Sequence, residues 1–258
     1  MKTYLKRSSF LIGSVAALRG FRADLRIAMW CVSRRRKIRK YLNDARVRKL
    51  HIGASNSLLP GWLNTDIASW SREIIYMDAT RRFPIPDDSF DYVMAEHVIE
   101  HVDHPAAQVM LQECYRILKP GGKVRLATPD LEVLIGLHSR EKSDAQRYYI
   151  DWIVGRCLPD VSSCKDVFVI NNAFRAWGHR FLYDRDTLGH TLAAAGFDEV
   201  KTCRAGISED PNLQNLEAHG KEIQDEQINQ FETIVLEATC KKRPIDTTIQ
   251  AGSAAPNG

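Results

Sequence analysis

FDYVMAEHVIEHVDHPAAQVMLQECYRILKPGGKVRLATPD, residues 90–130, is the stretch that decides the fold. FDYVMA (90–95) has the apolar character of a short buried strand, and a helical pattern follows it up to Leu118. Residues suited to a buried helix face are Val98, Val102, Val109, Leu111 and Ile117. KPGG (119–122) ends this helix and turns the chain into KVRLATPD, a second strand. A strand–helix–strand unit of this kind predicts a parallel sheet covered by helices.

The same alternation extends in both directions along the chain. Upstream, three short apolar runs predict strands, and they end at Gly53, Asp66 and Asp78. Downstream, a helix is expected at about 184–195 and strands at about 198–204 and within 229–242. The sequence therefore predicts an α/β fold.

The residues at the strand ends indicate a ligand that contains adenosine. Asp66 follows Gly53 by 13 residues, and a carboxylate at that position can accept hydrogen bonds from a ribose diol. Asp78, after the third strand, is placed for an adenine amino group. A single Asp after a strand is more often a cap or turn residue, but two at successive strand ends favour ligand contact.

His97-Val98-Ile99-Glu100-His101 has the H-x-x-E-H spacing of one group of zinc proteases. On a helix the two histidines would share a face, and a third ligand would complete an open zinc site. His104, His138 and His179 are the histidines considered for that third ligand. No second motif supplies a metal ligand in a protease-like setting, so the sequence predicts no metal.

Residues 131–183 interrupt the alternation and form a predicted insertion rich in aromatic residues. An insertion after the fifth strand lies at the carboxyl edge of a parallel sheet, where ligands bind, and is placed to cover a substrate. The alternative is that the aromatic residues only pack the insertion onto the sheet.

The first 50 residues differ in charge from the rest of the chain. They carry 15 Lys/Arg against two acidic residues, whereas the remainder holds 21 basic and 30 acidic residues. Arg19, Arg22 and Arg26 fit an amphipathic basic helix, for which three roles are open: packing at the domain edge, contact with an anionic membrane through residues 1–40, or nucleic-acid binding, the least favoured. Residues 17–19 make a poor cleavage site, so export is disfavoured.

Composition predicts a cytoplasmic protein. The 258 residues are 44 % hydrophobic and 26 % charged, and no window approaches 18 uninterrupted apolar residues. Six scattered cysteines indicate reduced thiols. We expect a basic helical extension at 1–45, a main domain at 46–242 and a disordered tail at 243–258.

DATRRFPIPDDSFDYVMAEHVIEHV (78–102) and LQECYRILKPGGKVRLATPD (111–130) resemble class I S-adenosylmethionine-dependent methyltransferases. HRFLYDRDTLGHTLAAAGFDEV (179–200) extends the resemblance, which covers about residues 47–240. It is closest to a bacterial subgroup often found among surface-polysaccharide functions, with LHIGASNSLLPGWLNTDI (50–67) and NLEAHG (215–220) in their usual places. The resemblance implies a Rossmann-like, doubly wound three-layer αβα sandwich whose sheet is mostly parallel with an antiparallel last strand.

The resemblance also implies roles for individual residues. The expected contacts of S-adenosylmethionine are Gly53, Ala54, Ser55, Asp66, Asp78, Ala79 and Glu96. The first loop departs from the family's G-x-G-x-G pattern, because Ser55 stands where glycine would let the backbone approach the cofactor. Glu100 and His101 would help to pack or orient the loop after the fourth strand.

His97 is the first candidate for a general base, with His101 second, because the pKa of an imidazole lies near neutrality. The substrate would contact Asn172, Trp177 and His179. His97 could instead cap the helix or hydrogen-bond the cofactor.

We therefore expect a methyltransferase acting on oxygen of a saccharide or other small polar acceptor, in the cytoplasm or at the inner membrane surface. A sugar, a phenol and a lipid-linked glycan fit the insertion equally well, and no oligomeric state is predicted. The alternatives are a catalytically silent cofactor-binding module that scaffolds a membrane-associated assembly, and a zinc hydrolase or unrelated nucleotide-binding enzyme.

Overall fold

The computed structural model describes residues 33–68 and 71–242. The predicted tail at 243–258 and most of the predicted extension at 1–45 lie outside these residues, and the described part of the extension is a helix, α1, over 33–44. The strands are β1 Lys49–Ile52, β2 Leu63–Asp66, β3 Ile75–Tyr76, β4 Phe90–Glu96, β5 Leu118–Pro129, β6 Phe197–Cys203 and β7 Thr233–Cys240. The further helices are α2 His104–Ile117, α3 Leu131–Gly136, α4 Asp144–Cys157, α5 Asp166–Arg175, α6 Arg185–Ala194, α7 His219–Ile223 and α8 Glu226–Glu232.

The strands form one seven-stranded sheet with the order β3-β2-β1-β4-β5-β7-β6. Strands β1 to β5 pair in parallel, whereas β7 runs antiparallel to both β5 and β6. The predicted fold class is confirmed: a mostly parallel sheet with an antiparallel last strand, flanked by helices. Because β1, β2 and β4 point the same way, their carboxyl ends lie along one edge.

Two elements differ from the sequence prediction. The helix expected from residue 97 begins only at His104, because Asp103 caps it by accepting a hydrogen bond from Ala106 N and proline occupies its first turn. Ile99–His101 form a short 3-10 turn instead. The last strand begins at Thr233, since residues 226–232 are helical.

Two hydrophobic clusters account for most of the core. The larger one buries α2, α6 and Ile38 of α1 against the sheet. The second lies within the insertion and joins α3, α4 and α5, together with Ile228 of α8. The insertion thus has a core of its own, which contains Tyr149 and borders Trp152, whereas Tyr148, Phe168, Phe174 and Trp177 are exposed.

Arg125 ties the chain after β6 to the sheet. It is fully buried in β5, where its Nε donates to Glu217 at 2.6 Å and its guanidinium also bonds Glu237. Further donor groups reach the carbonyls of Arg204 at 3.0 Å and Ile207 at 3.1 Å. Residues 204–217, and through them the start of α7, are therefore held in place by a buried cation.

Within the described residues, no helix has the length and apolar character needed to cross a bilayer.

Candidate active site

The loop after β1 approaches the turn after β4 closely. Gly53 has φ +71°, and a Cβ there would lie 2.2 Å from Val98 Cγ2. Only glycine fits this position. Ser55 also has a positive φ, +41°, so the residue that replaces the family's glycine is held in a left-handed conformation. Ala54 between them is buried, and its N–H donates to Thr65 O at 3.0 Å.

Asp66 lies at the carboxyl end of β2, as predicted, and joins two loops. Its Oδ2 accepts from Ser55 N at 2.9 Å and its Oδ1 accepts from Ala68 N at 2.8 Å. A carboxylate offers about four lone-pair positions, so each oxygen retains capacity for one more donor. Ile67 beside it exposes 62 % of its surface. Together they combine hydrogen-bond acceptors with an apolar surface.

Asp78 and Ala79 follow β3 at the same edge. Asp78 Oδ1 accepts from Thr80 N at 2.9 Å and from Thr80 Oγ1 at 2.6 Å, and its Oδ2 lies 3.0 Å from Arg81 Nε. Ala79 packs against the main core. Asp78 therefore acts as a turn residue here, and its contact with adenine stays a prediction.

Glu96, the last residue of β4, binds the backbone at the start of α7. Its two oxygens accept from Ala218 N at 2.8 Å and from His219 N at 3.0 Å. Burial raises the pKa of this carboxyl, although the two N–H groups oppose the shift. Glu96 thus brings a segment from 122 residues further along the chain to the end of β4.

His97 and Glu100 form a buried pair. His97 has φ +48°, and its Nδ1 lies 2.9 Å from Glu100 Oε1, while Glu100 Oε2 accepts from Thr128 Oγ1 at 3.0 Å. Burial alone would lower the pKa of His97, but the hydrogen bond and charge of Glu100 outweigh it and raise that pKa above its usual value. Burial would raise the pKa of Glu100, yet His97 holds it below its usual value. Each partner therefore shifts the pKa of the other toward its charged form.

A second histidine–glutamate pair packs against the first. His219 Nε2 lies 3.0 Å from Glu232 Oε1, and Glu232 Oε2 accepts from Tyr149 Oη at 2.6 Å. The rings of His97 and His219 are 4.0 Å apart. The turn after β4 and the α7–α8 segment thus bring two imidazoles and two carboxylates together.

A cavity of about 260 Å³ opens beside these pairs. Its lining residues are His97, His101, Pro129, Trp152, Ile153, Cys157, Trp177, His179, His219, Ile223 and Glu232. Among the described residues, His97 Nε2 and Trp152 Nε1 are buried and have no hydrogen-bond partner. Buried polar atoms are seldom left unsatisfied, so these two are candidates to bind a ligand.

The remaining predicted site residues are only partly brought together. His101 and His179 line the cavity with ring centroids 5.2 Å apart, and Trp177 lies 5.6 Å from His179. Asn172 lies on α5 outside the cavity lining, and its Nδ2 is buried without a partner in the described part of the chain. Burial lowers the pKa of His179.

In the described regions, Glu100, His101 and His179 each place a potential metal-ligand atom within 4.8 Å of the others. Glu100 is already bonded to His97, and His179 Nδ1–H donates to Ala173 O at 2.7 Å. Glu100 and His179 are thus already engaged in hydrogen bonds.

Three residues of the site were missed by sequence reasoning, and a fourth was given only a packing role. His219 falls in the NLEAHG motif, which marked the segment without indicating a role. Trp152 and Glu232 carried no local signal, because tertiary packing alone brings them to the cavity. Glu100 was expected to pack the loop, whereas it orients His97.

Part of the sheet region is similar in sequence to known proteins. Residues 61–126, from the turn before β2 into β5, match the family model described as a methyltransferase domain. Over 68 residues the chain is 31 % identical to an uncharacterized protein from Methanocaldococcus jannaschii, a match that covers 26 % of this chain and 32 % of that protein. The chain thus spans about a third of the length of this curated relative. The matched segment, residues 61–126, is similar to a methyltransferase domain.

Solved structures of low sequence identity are also similar. An S-adenosylmethionine-dependent methyltransferase from Thermotoga maritima is 20 % identical, with 76 % of this chain and 82 % of that chain covered and a TM-score of 0.42. A second, from Archaeoglobus fulgidus, is 18 % identical, with 80 % and 92 % covered and a TM-score of 0.45. A phosphoethanolamine N-methyltransferase from Haemonchus contortus, solved in complex with S-adenosyl-L-methionine, is 14 % identical, with 81 % and 53 % covered and a TM-score of 0.38.

Proposed function

We propose that this protein transfers a methyl group from S-adenosylmethionine to a hydroxyl oxygen of a saccharide or another small polar acceptor. The observation that carries the proposal is the His97–Glu100 pair. One nitrogen of His97 is held by a buried carboxylate, and the other is unpartnered and borders an aromatic cavity at the end of β4. This geometry suits proton removal from a bound hydroxyl.

The strand ends fit the cofactor. Gly53 lets the first loop pack directly against Val98, and both oxygens of Asp66 retain acceptor capacity toward a ribose diol. Exposed Ile67 offers an apolar surface to a flat base. When bound, S-adenosylmethionine supplies an electrophilic methyl group on a sulfonium, so the protein has to provide orientation and a base. Asp78, Ala79 and Glu96 complete the proposed cofactor contacts, with Glu96 held by the backbone N–H groups of Ala218 and His219.

His97 is the proposed catalytic base. Glu100 accepts from Nδ1–H, which leaves Nε2 as the acceptor on the cavity side. With the cofactor bound, the acceptor oxygen would take the methyl group as the carbon–sulfur bond breaks and S-adenosylhomocysteine leaves. Nε2 of His97 would accept the hydroxyl proton, and Glu100 would stabilise the imidazolium so formed. His101 is the second candidate, because it borders the same cavity.

The cavity lining supports a saccharide acceptor. Trp152 and Trp177 offer aromatic faces to the C–H surface of a sugar ring, and Trp152 Nε1 is a free donor for a ring or hydroxyl oxygen. His179 lies beside Trp177 and is the third proposed substrate contact. Asn172 is a further proposed substrate contact, although it lies on α5 outside the cavity lining and its Nδ2 is buried. If the acceptor is a saccharide, a role in surface-polysaccharide formation is part of the same proposal.

A second candidate function is a catalytically silent cofactor-binding module. The observation that favours it is the occupation of the strand-end carboxylates by backbone N–H groups, together with a hydrogen bond from Ser57 to Glu222 that joins the first loop to α7. A bound cofactor would have to break these hydrogen bonds or bind beside them.

Peripheral contact of residues 1–40 with an anionic membrane, on the cytoplasmic side, is part of the same proposal. Charge supports it: within the described segment 33–40, Arg35, Arg36, Lys37, Arg39 and Lys40 are exposed.

The test follows the label of methyl-tritiated S-adenosylmethionine into isolated surface polysaccharide and its lipid-linked precursor. His97→Asn is the informative variant, because asparagine tolerates the left-handed backbone at this position. His138→Gln, an exposed histidine outside the cavity, is the control. We expect transfer with the wild type and the control, and a strong loss with His97→Asn. Cofactor binding without label transfer to any acceptor would favour the silent module.

A further inference from the structure

Exposed apolar side chains concentrate in the insertion. Of the large hydrophobic residues that are exposed in the described part of the chain, more than half fall within 131–183. These are Ile135, Tyr148, Val167, Phe168, Phe174 and Trp177. Single exposed hydrophobic residues are ordinary, but several on one element indicate an interaction surface.

Helix α5 carries the central part of this surface. Val167 and Phe174 are seven residues apart and share one face, where they expose 45 % and 49 % of their surfaces. Val169 and Ala173 lie on the opposite face and are buried in the core of the insertion. The helix therefore carries apolar residues on both its buried and its solvent-exposed side, whereas a surface helix normally has a polar outer face.

Cations flank the exposed apolar face. Lys165 precedes α5, Arg175 ends it, and Arg180 follows Trp177; all three are exposed. In the described regions none of the three forms an ion pair, whereas the nearby Asp166 is bonded to Lys142. Apolar residues with basic neighbours on one face are typical of helices that lie in the interface of an anionic bilayer.

The face is continuous with the mouth of the cavity. Trp177 lines the cavity and still exposes 51 % of its surface. It has φ +57°, a conformation that non-glycine residues seldom adopt. A surface on which α5 rested would therefore meet Trp177 at the entrance to the proposed acceptor site.

We propose that an exposed face formed by Val167, Phe168 and Phe174 of α5, together with Trp177 just after the helix, contacts an anionic lipid surface. A lipid-borne acceptor enters the cavity from that surface. The second half of this inference rests on the proposed function, whereas the lipid contact stands on the surface itself. The face is separate from the basic residues of α1, since Tyr41 of that helix bonds Lys49 O at the opposite, amino-terminal end of β1.

A second copy of the chain is the competing occupant, and the charges disfavour it. In a two-fold symmetric dimer the same patch meets itself, so the basic patch that includes Arg175 and Arg180 would face an equally basic patch on the second copy. Like charges brought together in this way oppose association, whereas acidic headgroups would match them.

The test measures co-sedimentation of the full chain with vesicles of phosphatidylcholine mixed with phosphatidylglycerol, and with vesicles of phosphatidylcholine alone. We expect binding to the mixed vesicles, weakened about tenfold by the double change Val167→Ser, Phe174→Ser, because two apolar side chains lose their contact with lipid. The matched control is Val200→Ser, Ile207→Ser, two exposed apolar residues outside the insertion, and should bind as wild type. Lipids with brominated acyl chains should quench Trp177 fluorescence, identified by its loss in Trp177→Phe.

Three results would overturn the proposal: no binding of the wild type to mixed vesicles, wild-type affinity in the α5 double variant, or a concentration-dependent dimer in sedimentation that the double variant abolishes. A variant of α1 with Arg35, Arg36 and Arg39 changed to Glu should keep the quenching of Trp177, and loss of that quenching would also overturn it. Calorimetric binding of S-adenosylmethionine is measured alongside, so that failure of the proposed function is seen separately.

Discussion

Replacing Glu100 with glutamine removes one charge from the site and leaves its hydrogen bonds in place. The glutamine oxygen can accept from His97 Nδ1–H, and its amide nitrogen can donate to Thr128 Oγ1, which now donates to Glu100 at 3.0 Å. The change therefore isolates the electrostatic effect of the buried carboxylate on His97.

The magnitude follows from the geometry. His97 Nδ1 lies 2.9 Å from Glu100 Oε1, so the charge centres of the pair are roughly 4 Å apart. Two unit charges at about 4 Å interact by about 4 kcal/mol at an effective dielectric constant of about 20. If about half of the imidazolium charge has developed in the transition state, Glu100→Gln loses about 2 kcal/mol, which is about a thirtyfold fall in kcat.

The pH profile gives an independent readout. His97 accepts a proton only when it is neutral, so the rate rises with pH through its pKa, and Glu100 places this pKa above the usual value. In Glu100→Gln the pKa falls, since burial then dominates, and the acid limb moves to lower pH. Titration of the His97 ring by NMR measures the same shift without an acceptor.

Glu232→Gln is the matched control, because it changes the second pair and leaves Glu100 intact. We expect it to affect kcat less and to leave most of the acid limb in place. An unmoved acid limb in Glu100→Gln, or a larger loss in Glu232→Gln, would refute the assignment of His97 as the base and favour His219.

Three further predictions test other parts of the site and the fold. Gly53→Ala should destabilise the fold by about 1–2 kcal/mol from its left-handed backbone alone and weaken cofactor binding, and adding Val98→Ala should recover part of both losses in thermal denaturation and calorimetry. Arg125→Met should lower the free energy of unfolding in urea by about 3–5 kcal/mol, because it leaves Glu217 and a second glutamate without their buried cation; a loss under about 1 kcal/mol would contradict this. Trp152→Phe should raise KM for the acceptor by about two- to twelvefold with kcat unchanged, since it removes one donor and keeps the ring, and equal KM values would argue against that contact.

Sequence patterns predicted the order of strands and helices because the spacing of apolar residues and the positions of turn residues are local properties of the chain. The runs ending at Gly53 and Asp66 became β1 and β2 with their loops, and both residues lie at the predicted edge of the sheet. The helix start was misplaced since apolar spacing continued through Val98 and Val102, while the capping Asp103 and the proline after it decided the boundary.

The contents of the site were less predictable. His97 was identified from its position after β4, but its partner was not. A helix was expected there, whereas Glu100 lies in a 3-10 turn and bonds Nδ1 of the His97 ring. His219 and Glu232 reach the cavity through segments that follow β6, and only the fold brings them there. Asn172 was chosen for its polar side chain in the insertion, yet it lies on α5 away from the cavity lining.

The most direct test of the central claim is calorimetric titration of the protein with S-adenosylmethionine and with S-adenosylhomocysteine. Asp66→Ala and the isosteric Asp66→Asn are compared with Asp198→Ala, which removes an exposed carboxylate in β6. We predict micromolar binding to the wild type and to Asp198→Ala, weakened at least about tenfold in both Asp66 variants while their melting temperatures show that they remain folded. Absence of heat with either ligand in the wild type, or unchanged affinity in the Asp66 variants, would contradict the account.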